Sequence, residues 1–252
     1  MKKQDPKHLI FLHLPKNGGS TIQSILNRIF KKEETFTVHW VGTKGNLQDF
    51  IEMDASEREK IKLLKGHFGF GLDQHFQQDT TYFTFLRRPE ERIISFYYYV
   101  KRSKRNRLYQ MVQEGNMSFR DFVELDDKDG NNGQIRKLSG INSDETSMLD
   151  TARKNIEGFF PVVGIQELFD ESLIVLAYHF SWPMPFYKTK NVSKNKKEVS
   201  QEDRDLLAQR NQGDIALYEE MRARLEQQMK EIPFFKLRLF TLRIINKIIS
   251  IF

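Results

Sequence analysis

The stretch that decides the fold is His13-Leu-Pro-Lys-Asn-Gly-Gly-Ser-Thr21, which separates two contrasting segments of the chain. Before it, residues 8–14 are almost wholly apolar, as expected of a strand buried in a parallel sheet. After it, apolar residues recur at helical spacing, at Ile22, Ile25, Leu26, Ile29 and Phe30. The pattern predicts a strand, a tight glycine loop and an amphipathic helix, with Ser20 or Thr21 as the helix cap.

This loop has the composition of an anion-binding site. Gly18 and Gly19 allow tight turns, so that backbone N–H groups and the helix N-terminus can converge on one point. Lys16 can place an ammonium group on the same anion, and Ser20 and Thr21 add hydroxyl donors. Because the lysine precedes the glycines, the order argues against an ordinary ATPase or GTPase loop, where lysine follows the second glycine. The alternative is a plain strand-to-helix turn.

A second anion site is predicted from the stretch Phe85-Leu-Arg-Arg-Pro-Glu-Glu-Arg-Ile-Ile-Ser-Phe-Tyr-Tyr-Tyr99. A strand delivers Arg87 at its carboxyl end, and a helix begins at the proline that follows. Ser95 comes roughly two turns into that helix. Arg87 offers a planar guanidinium to a phosphate, and Ser95 offers a hydroxyl. The neighbouring Arg88 and Arg92 have an alternative interpretation as solvated surface charges.

Strands alternate with helices along the chain, which predicts an α/β fold with a parallel sheet and helices on both faces. Further strands are predicted at 65–70, 80–86 and 160–165, and further helices at 118–125, 134–138, 144–157, 166–179 and, after a Ser200 cap, up to residue 230. The length of 252 residues suits one large domain, which we place at 1–232. The tail, 233–252, is strongly apolar with basic residues at intervals.

Taken together, the two motifs resemble those of sulfotransferases that use 3′-phosphoadenosine 5′-phosphosulfate (PAPS). The first is similar to the Pro-Lys-Thr-Gly-Gly-Thr-Ser loop of the carbohydrate branch, to which heparan sulfate 2-O-sulfotransferase belongs. The second is similar to that family's Arg-Asp-Pro, Arg, Ser pattern, with Arg88 in place of the usual Asp. The resemblance implies a P-loop-like sulfotransferase fold and PAPS as the donor. It also implies PAPS contacts from Lys16, Asn17, Gly18, Gly19, Ser20 and Thr21 at the 5′ end, and from Arg87 and Ser95 at the 3′-phosphate.

The resemblance extends over about residues 8–230, through Gly158-Phe-Phe-Pro-Val-Val-Gly-Ile-Gln-Glu-Leu168 and the basic loop that follows. In the resembled family a comparable late loop folds over the donor nucleotide. By that resemblance Ser193 and Lys194 are further PAPS contacts. The alternative is a solvated charged loop.

Sulfonate transfer needs a group that accepts the proton of the attacking hydroxyl, and histidine titrates in the appropriate range. His67, in Lys65-Gly-His-Phe-Gly-Phe70, lies at a predicted strand end beside glycines, where the active sites of open α/β sheets gather. The resembled enzymes carry their base in a similar Gly-His segment, which makes His67 our prediction for the base. The alternatives are His13, beside the loop, and His39, which is expected to line the acceptor cleft. Lys16 is expected to stabilise the leaving phosphate.

The composition limits the classes of ligand and partner that the protein is expected to bind. The net charge of +6 favours an anionic ligand, a polyanion or a membrane surface, but the interleaving of basic with acidic residues argues against nucleic acid. The absence of cysteine excludes disulfides and thiolate metal sites, and we expect no metal. The first apolar run is too short for a signal sequence or membrane span, which predicts a cytoplasmic protein. Residues 234–252 favour contact with a membrane surface or with a protein partner such as a second subunit, and the alternative is that they pack on the domain.

The sequence thus predicts an enzyme that transfers a sulfonate group from PAPS to a hydroxyl of a carbohydrate or glycolipid. Two alternatives stay open at this point. One is a sulfotransferase for a small hydroxylated metabolite or tyrosine, and the other is a non-catalytic module that binds a nucleotide or polyanion.

Overall fold

A central parallel sheet organises the protein in the computed structural model, which describes residues 3–41, 44–125, 127–188 and 199–251. The sheet has five strands in the order β2-β5-β1-β6-β7. These strands are β1 His8–Leu12, β2 Thr35–Val38, β5 Leu63–Gly66, β6 Thr80–Leu86 and β7 Val162–Ile165. Two further strands, β3 Trp40–Val41 and β4 Lys44–Gly45, form a separate antiparallel pair.

Helices flank the sheet, and the predicted α/β fold class is confirmed. They are α1 Gly19–Ile29, α2 Leu47–Ile51, α3 Ala55–Arg58, α4 Pro89–Val100, α5 Phe119–Glu124, α6 Gly133–Ser139, α7 Glu145–Phe159, α8 Phe169–His179, α9 Gln201–Gln209, α10 Gln212–Lys230 and α11 Phe235–Ile251. A π-helical turn, Gln110–Glu114, and short 3₁₀ turns complete the described elements.

The centre of the sheet is buried on both faces, which explains why its strands read as continuous apolar runs. Every residue of β1 is buried, and β1 is bonded to β5 on one side and β6 on the other. β2 is different, because it is an edge strand with three partly exposed or exposed residues. The sequence pattern therefore gave no reason to expect β2.

Two hydrophobic clusters hold the helices in place. The larger one contains the sheet and the helices packed directly on it. The smaller one lies under α4 and is formed by Ile93, Phe96, Tyr97, Val100, Leu108, Val112, Phe122, Val123 and Leu207. Because α4 contributes residues from Ile93 to Val100 to this cluster, the helix is a rigid support for the polar residues on its opposite face.

One helix end follows the expected chemistry and another differs from it. The Ser200 side chain caps α9 by accepting a hydrogen bond from the N–H of Asp203, as predicted. The expectation that Ser20 or Thr21 caps α1 is wrong, because the helix begins earlier, at Gly19. Gly18 is the residue that precedes it, and its left-handed backbone supplies the turn instead of a side-chain cap.

Most of the predicted tail folds as α11, Phe235–Ile251, and packs on α8. The division into a domain of residues 1–232 and a tail stays a prediction. Within the described ranges, no helix combines the length and apolar character needed to cross a membrane.

Candidate active site

The carboxyl edge of the sheet brings together polar residues from all five strands. Gly66 pairs with Leu12 on one side and Val38 on the other. The residues that follow these three positions are histidines, so that His39, His67 and His13 follow neighbouring strand ends. On the other side Leu86 pairs with Ile165, so that Arg87 and Gln166 follow the ends of β6 and β7. Open α/β sheets place their ligand sites at this edge.

The loop between β1 and α1 turns by means of two left-handed residues. Gly18 has φ +76°, and Lys16, which is not glycine, has φ +73°. A left-handed conformation costs an L-residue roughly 1–2 kcal/mol, and such residues gather at functional sites. Gly19 lies directly against the His13 ring, since a Cβ there would be 1.6 Å from the imidazole Nε2. The loop is therefore folded tightly back on the strand that precedes it.

The Asn17 side chain points into the protein and is almost fully buried. Its Nδ2 group donates to the carbonyl oxygen of Phe85, at 2.6 Å, and to Oε1 of Gln134, at 2.9 Å. Both amide hydrogens are thereby used within the protein. Asn17 consequently shapes the loop through its side chain, and only its backbone N–H is left to face an anion.

Arg87 contacts the same loop. Its Nη1 group donates to the carbonyl oxygen of Lys16 at 3.1 Å, and its Nη2 lies 3.6 Å from the Glu91 carboxylate. Burial lowers the pKa of the guanidinium, whereas the charges of Glu91 and Glu167 raise it. The Arg87 Nε–H is buried and has no hydrogen-bond partner among the described residues. A buried, unpaired donor is costly, and an anion would satisfy it.

One face of α4 runs along both motifs. Glu91, Ser95 and Tyr99 are four residues apart and therefore share a face of the helix. Glu91 contacts Arg87 at one end of this face. At the other end the Lys16 ammonium lies 4.3 Å from the centre of the Tyr99 ring, a cation–π contact. Ser95 is the middle member of this face, between the two contacts.

Gln134, at the start of α6, joins the two motifs through one buried amide. Its Oε1 accepts from Asn17 Nδ2 and from the backbone N–H of Arg87, at 2.9 and 3.0 Å. Its Nε2 donates to the carbonyl oxygen of Arg87 at 3.0 Å. The sequence motifs did not indicate this residue. Because it fixes the loop and the strand end relative to each other, we regard Gln134 as a positioning residue.

A buried ion pair supports Gln134. The carboxylate of Asp214, on α10, accepts from the backbone N–H groups of Gln134 and Ile135 at 2.8–3.1 Å and lies 3.5 Å from Arg92. Arg92 also donates to the carbonyl oxygen of Asp129. The interpretation of Arg92 as a solvated surface charge is therefore wrong, because its side chain is buried. Arg92 and Asp214 connect α4, α6 and α10 beneath the site.

The positions after β7 hold the turn that carries Arg87. Glu167 accepts from the backbone N–H of Arg88 and from the Tyr218 hydroxyl, both at 3.1 Å. Glu167 thus holds the turn at Arg88. In the resembled enzymes the position of Arg88 is occupied by Asp. Gln166 lies directly on the phosphate loop, since a Cβ on Gly18 would be 2.0 Å from its Oε1.

His67 and His13 stack on each other with ring centres 4.1 Å apart. The His67 Nδ1 lies 2.8 Å from the carbonyl oxygen of His13, which only accepts, so Nδ1 carries the hydrogen and Nε2 the lone pair. Burial lowers the pKa of both imidazoles, and that of His13 falls well below its usual value. Both rings are therefore neutral at neutral pH, and His67 has the tautomer of a base that accepts a proton at Nε2.

A lysine and an aspartate modulate His67. The charge of Lys137 lowers the pKa of His67, and that of Asp129 raises it. The two side chains lie 3.9 Å apart. Lys137 is on α6, and its carbonyl oxygen accepts from the backbone N–H of Phe70, which ties the helix to the segment that follows His67.

Residues 2–219 match the model of the sulfotransferase family. The chain belongs to the sulfotransferase family. By this membership it is a PAPS-dependent enzyme. Comparison with curated protein sequences gave no match.

Solved structures include sulfotransferases that are similar to this one. The crystal structure of a sulfotransferase from Alicyclobacillus acidocaldarius is 14% identical, with a TM-score of 0.49, and the alignment covers 86% of this chain and 96% of that one. Mouse sulfotransferase SULT7A1, complexed with PAP, is 15% identical, with a TM-score of 0.26 and coverage of 62% and 65%.

The structure of this sulfotransferase brings most of the residues predicted for its site to one edge of the sheet. Lys16 contacts Arg87, and His67 contacts His13. His13 and the loop that carries Lys16 both follow β1. His39 lies one strand beyond His67, and its side chain is exposed. Ser193 and Lys194 lie outside the described residues, so their assignment as PAPS contacts stays a prediction.

Proposed function

We propose that this sulfotransferase transfers a sulfonate group from PAPS to a hydroxyl of a carbohydrate or glycolipid acceptor, with His67 as the base. The observation that carries the proposal is the contact between the two anion-binding elements, in which Arg87 donates to the Lys16 carbonyl. Such contact allows one molecule with phosphate groups at both ends to engage both elements. PAPS is a molecule of this kind.

The donor fits the polar groups that the two elements offer. The turn at Gly18 and the N-terminus of α1 present backbone N–H groups to the 5′-phosphosulfate. The buried, unpaired Nε–H of Arg87 is a donor for the 3′-phosphate, together with the hydroxyl of Ser95. Ser20 and Thr21, in the first turn of α1, are placed to add hydroxyl donors at the 5′ end.

In the proposed reaction the acceptor oxygen forms a bond to sulfur while the bond between sulfur and the bridging phosphate oxygen breaks. The departing phosphate keeps the electron pair of that bond. Lys16 would neutralise the negative charge that develops there, which is the kind of electrostatic stabilisation that dominates group transfer. Its ammonium group, now on the Tyr99 ring, is on the side of α4 that faces both motifs.

His67 would take the proton that the acceptor hydroxyl loses. The hydrogen bond to the His13 carbonyl fixes the tautomer with the lone pair on Nε2, and the lowered pKa keeps the ring neutral. His13 is less suited to this role, because its Nδ1 faces the Gln23 amide and its Nε2 edge is packed against Gly19. We therefore assign His13 to the positioning of His67.

Two observations support a carbohydrate acceptor. The loop that carries Lys16 resembles the carbohydrate branch, and charged and polar groups surround the proposed base. Lys137 and Asp129 influence His67 on one side, and His39 follows the strand on the other. Side chains of this kind bind sugar hydroxyls by hydrogen bonds.

The test combines donor binding with turnover. Calorimetry with PAP measures donor affinity, and radiolabelled PAPS with a panel of glycans, glycolipids, phenols and tyrosine peptides measures transfer. Arg87→Ala and Lys16→Ala should each weaken PAP binding at least tenfold, whereas the exposed neighbour Arg88→Ala should stay within about twofold. Unchanged PAP affinity in both of the first two variants would contradict the donor site.

His67→Ala should abolish transfer while PAP affinity stays within a few-fold, with His75→Ala as a histidine control. Retained turnover in His67→Ala would remove this residue from the mechanism. Transfer to phenols or tyrosine but to no glycan would reject the acceptor class and leave the donor site standing. PAP binding without transfer to any acceptor would favour a non-catalytic binding module.

A further inference from the structure

The C-terminal helix α11 is apolar on two opposite faces, and only one of them is used inside the protein. On the inner face Leu242 is fully buried, and the Asn246 side chain accepts from the backbone N–H of Tyr187 at 2.8 Å. Arg243 pairs with Asp170 and Glu171 at the start of α8, at 3.2 and 2.7 Å. These contacts attach the helix firmly to the rest of the protein.

The outer face is an exposed apolar stripe. Its members, at intervals of three or four residues, expose 42–78% of their surface and are Phe234, Leu237, Phe240, Ile244, Ile248 and Ile251. This spacing puts the five from Leu237 onward on one side of the helix, opposite the buried Leu242, and Phe234 directly precedes the helix. A helix of 17 residues is about 25 Å long, so the stripe runs along the whole element. Large exposed apolar surfaces of this kind mark contact sites.

Positive charge borders the outer stripe on both sides. From residue 232 to the end of the chain there is no acidic residue. Lys236 and Lys247, eleven positions apart, fall on one border by helical periodicity, and Arg238 falls on the other. Arg238 lies 5.8 Å from the centre of the Tyr178 ring, and Lys3 lies 5.3 Å from the same ring, so a second cation joins this border.

An open apolar cavity extends the stripe at its N-terminal end. It has a volume of about 490 Å³ and lies at the corner between α10 and α11. Its lining includes Met229, Ile232, Phe234, Phe235 and Leu237. Phe234 and Leu237 belong to both the cavity and the stripe, so the two surfaces are continuous.

We propose that α11 binds an anionic membrane surface, with the outer stripe in the boundary between headgroups and acyl chains and the basic borders on the headgroups. A large apolar face flanked by lysine and arginine is the pattern of an interfacial helix. A second copy of the chain fits less well, because two such helices face to face would bring their basic borders together. The proposal does not depend on the donor or the acceptor of the sulfotransferase.

Vesicle flotation of the full chain tests the proposal. The probes are vesicles of phosphatidylcholine alone and of phosphatidylcholine with 30% phosphatidylglycerol, a composition that we choose to supply negative charge. We expect flotation with the anionic vesicles and at least tenfold weaker binding to the zwitterionic ones. Binding should weaken as salt rises from about 0.05 to 0.5 M, since the Debye length shortens.

Three variants separate the contributions. Leu237→Gln/Phe240→Gln/Ile248→Gln should abolish flotation, whereas a matched control at exposed apolar positions elsewhere, Met111→Gln/Ile141→Gln, should float like the wild type. Lys236→Ala/Lys247→Ala should lower the partitioning of the protein onto anionic vesicles about 20- to 30-fold, because each basic residue contributes about fivefold. Partitioning onto zwitterionic vesicles should change little. The inner-face contacts of α11 are intact in all of them, and circular dichroism verifies the helix content.

The proposal is overturned if the wild type fails to float with anionic vesicles at low salt, or if the triple stripe variant floats as well as the control. It is also overturned if sedimentation shows a dimer that the stripe variant abolishes, because the occupant is then a second copy. PAP affinity should be the same in the stripe variant and the wild type, which keeps this test separate from that of the enzyme.

Discussion

Replacement of Gln134 by leucine is the most informative perturbation of this site. Leucine has a similar volume but cannot bond to the phosphate loop or to the end of β6. The change removes three hydrogen bonds, two that end on Arg87 and one from Asn17. Asn17 keeps its bond to the Phe85 carbonyl, whereas the backbone N–H and C=O of Arg87 lose this partner.

The magnitude follows from the bonds lost. A net hydrogen bond contributes about 1 kcal/mol, and a buried group left unpaired costs about 1–3 kcal/mol. We therefore expect the free energy of unfolding to fall by about 2–4 kcal/mol. Part of the order that Gln134 imposes on the loop and Arg87 must then be supplied by the donor when it binds. If this ordering costs about 1.4–2.8 kcal/mol of binding free energy, PAP binding becomes 10- to 100-fold weaker.

Urea denaturation measures the free energy of unfolding, and calorimetry measures PAP affinity. Asn155→Leu is the matched control, because the Asn155 amide donates to the carbonyls of Leu138 and Ser139 at the other end of α6. It should destabilise the protein by about 1–2 kcal/mol with PAP affinity within twofold of the wild type.

The positioning role is refuted if Gln134→Leu loses stability as expected but binds PAP within twofold of the wild type. Equal loss of affinity in Asn155→Leu would also refute it, because the effect would then report general destabilisation.

Four further predictions follow from the site. Lys137→Met should move the acid limb of kcat/KM to higher pH, because this lysine lowers the pKa of His67; an unmoved limb in the pH profile would exclude His67 as the titrating base. The free energy of unfolding should fall as the pH drops below about 6.5, because the unfolded chain takes up protons that the buried His13 and His67 resist; denaturation at several pH values measures this slope. Gly19→Ala should destabilise the protein and impair PAP binding, since the new methyl group would meet the His13 ring at 1.6 Å; thermal denaturation and calorimetry that match the wild type would contradict this packing. Asp214→Ala should lower the free energy of unfolding by about 3–5 kcal/mol, because it removes the carboxylate that faces the buried Arg92 guanidinium and leaves two backbone N–H groups unpaired; urea denaturation with a change below about 1 kcal/mol would show that the pair is not needed.

Local patterns were sufficient for most of the main elements of this fold, although β5 begins and ends earlier than the strand predicted at 65–70. β1 and β6 are buried, and their sequences are runs of apolar or β-favouring residues. The glycine loop predicts the turn into α1. The predicted sites at Lys16 and Arg87 depend on the same local patterns, since each residue lies within a few positions of the end of a strand. The parallel sheet then brings these strand ends to one edge, whatever their separation along the chain.

Contacts between distant residues could not be predicted from these patterns. Gln134 lies 117 positions from Asn17 and 47 from Arg87, and nothing in its own segment indicates which groups its amide will meet. The inward orientation of the Asn17 side chain could not be predicted for the same reason. An asparagine in a glycine loop can donate to a ligand or form a structural hydrogen bond, and the local sequence does not distinguish the two. β2 was missed because an edge strand lacks the apolar run that marks a buried one.

The strand order places the groups assigned to the two proposed substrates along different halves of the sheet edge. β1, β6 and β7 lead into the groups assigned to the sulfonate donor, whereas β5 and β2 lead into His67 and His39, on the proposed acceptor side. The segment that follows β2 could therefore be exchanged to retarget the enzyme to a new hydroxyl, with His67 and its bond to the His13 carbonyl oxygen kept. The machinery that holds the common donor would be inherited without alteration.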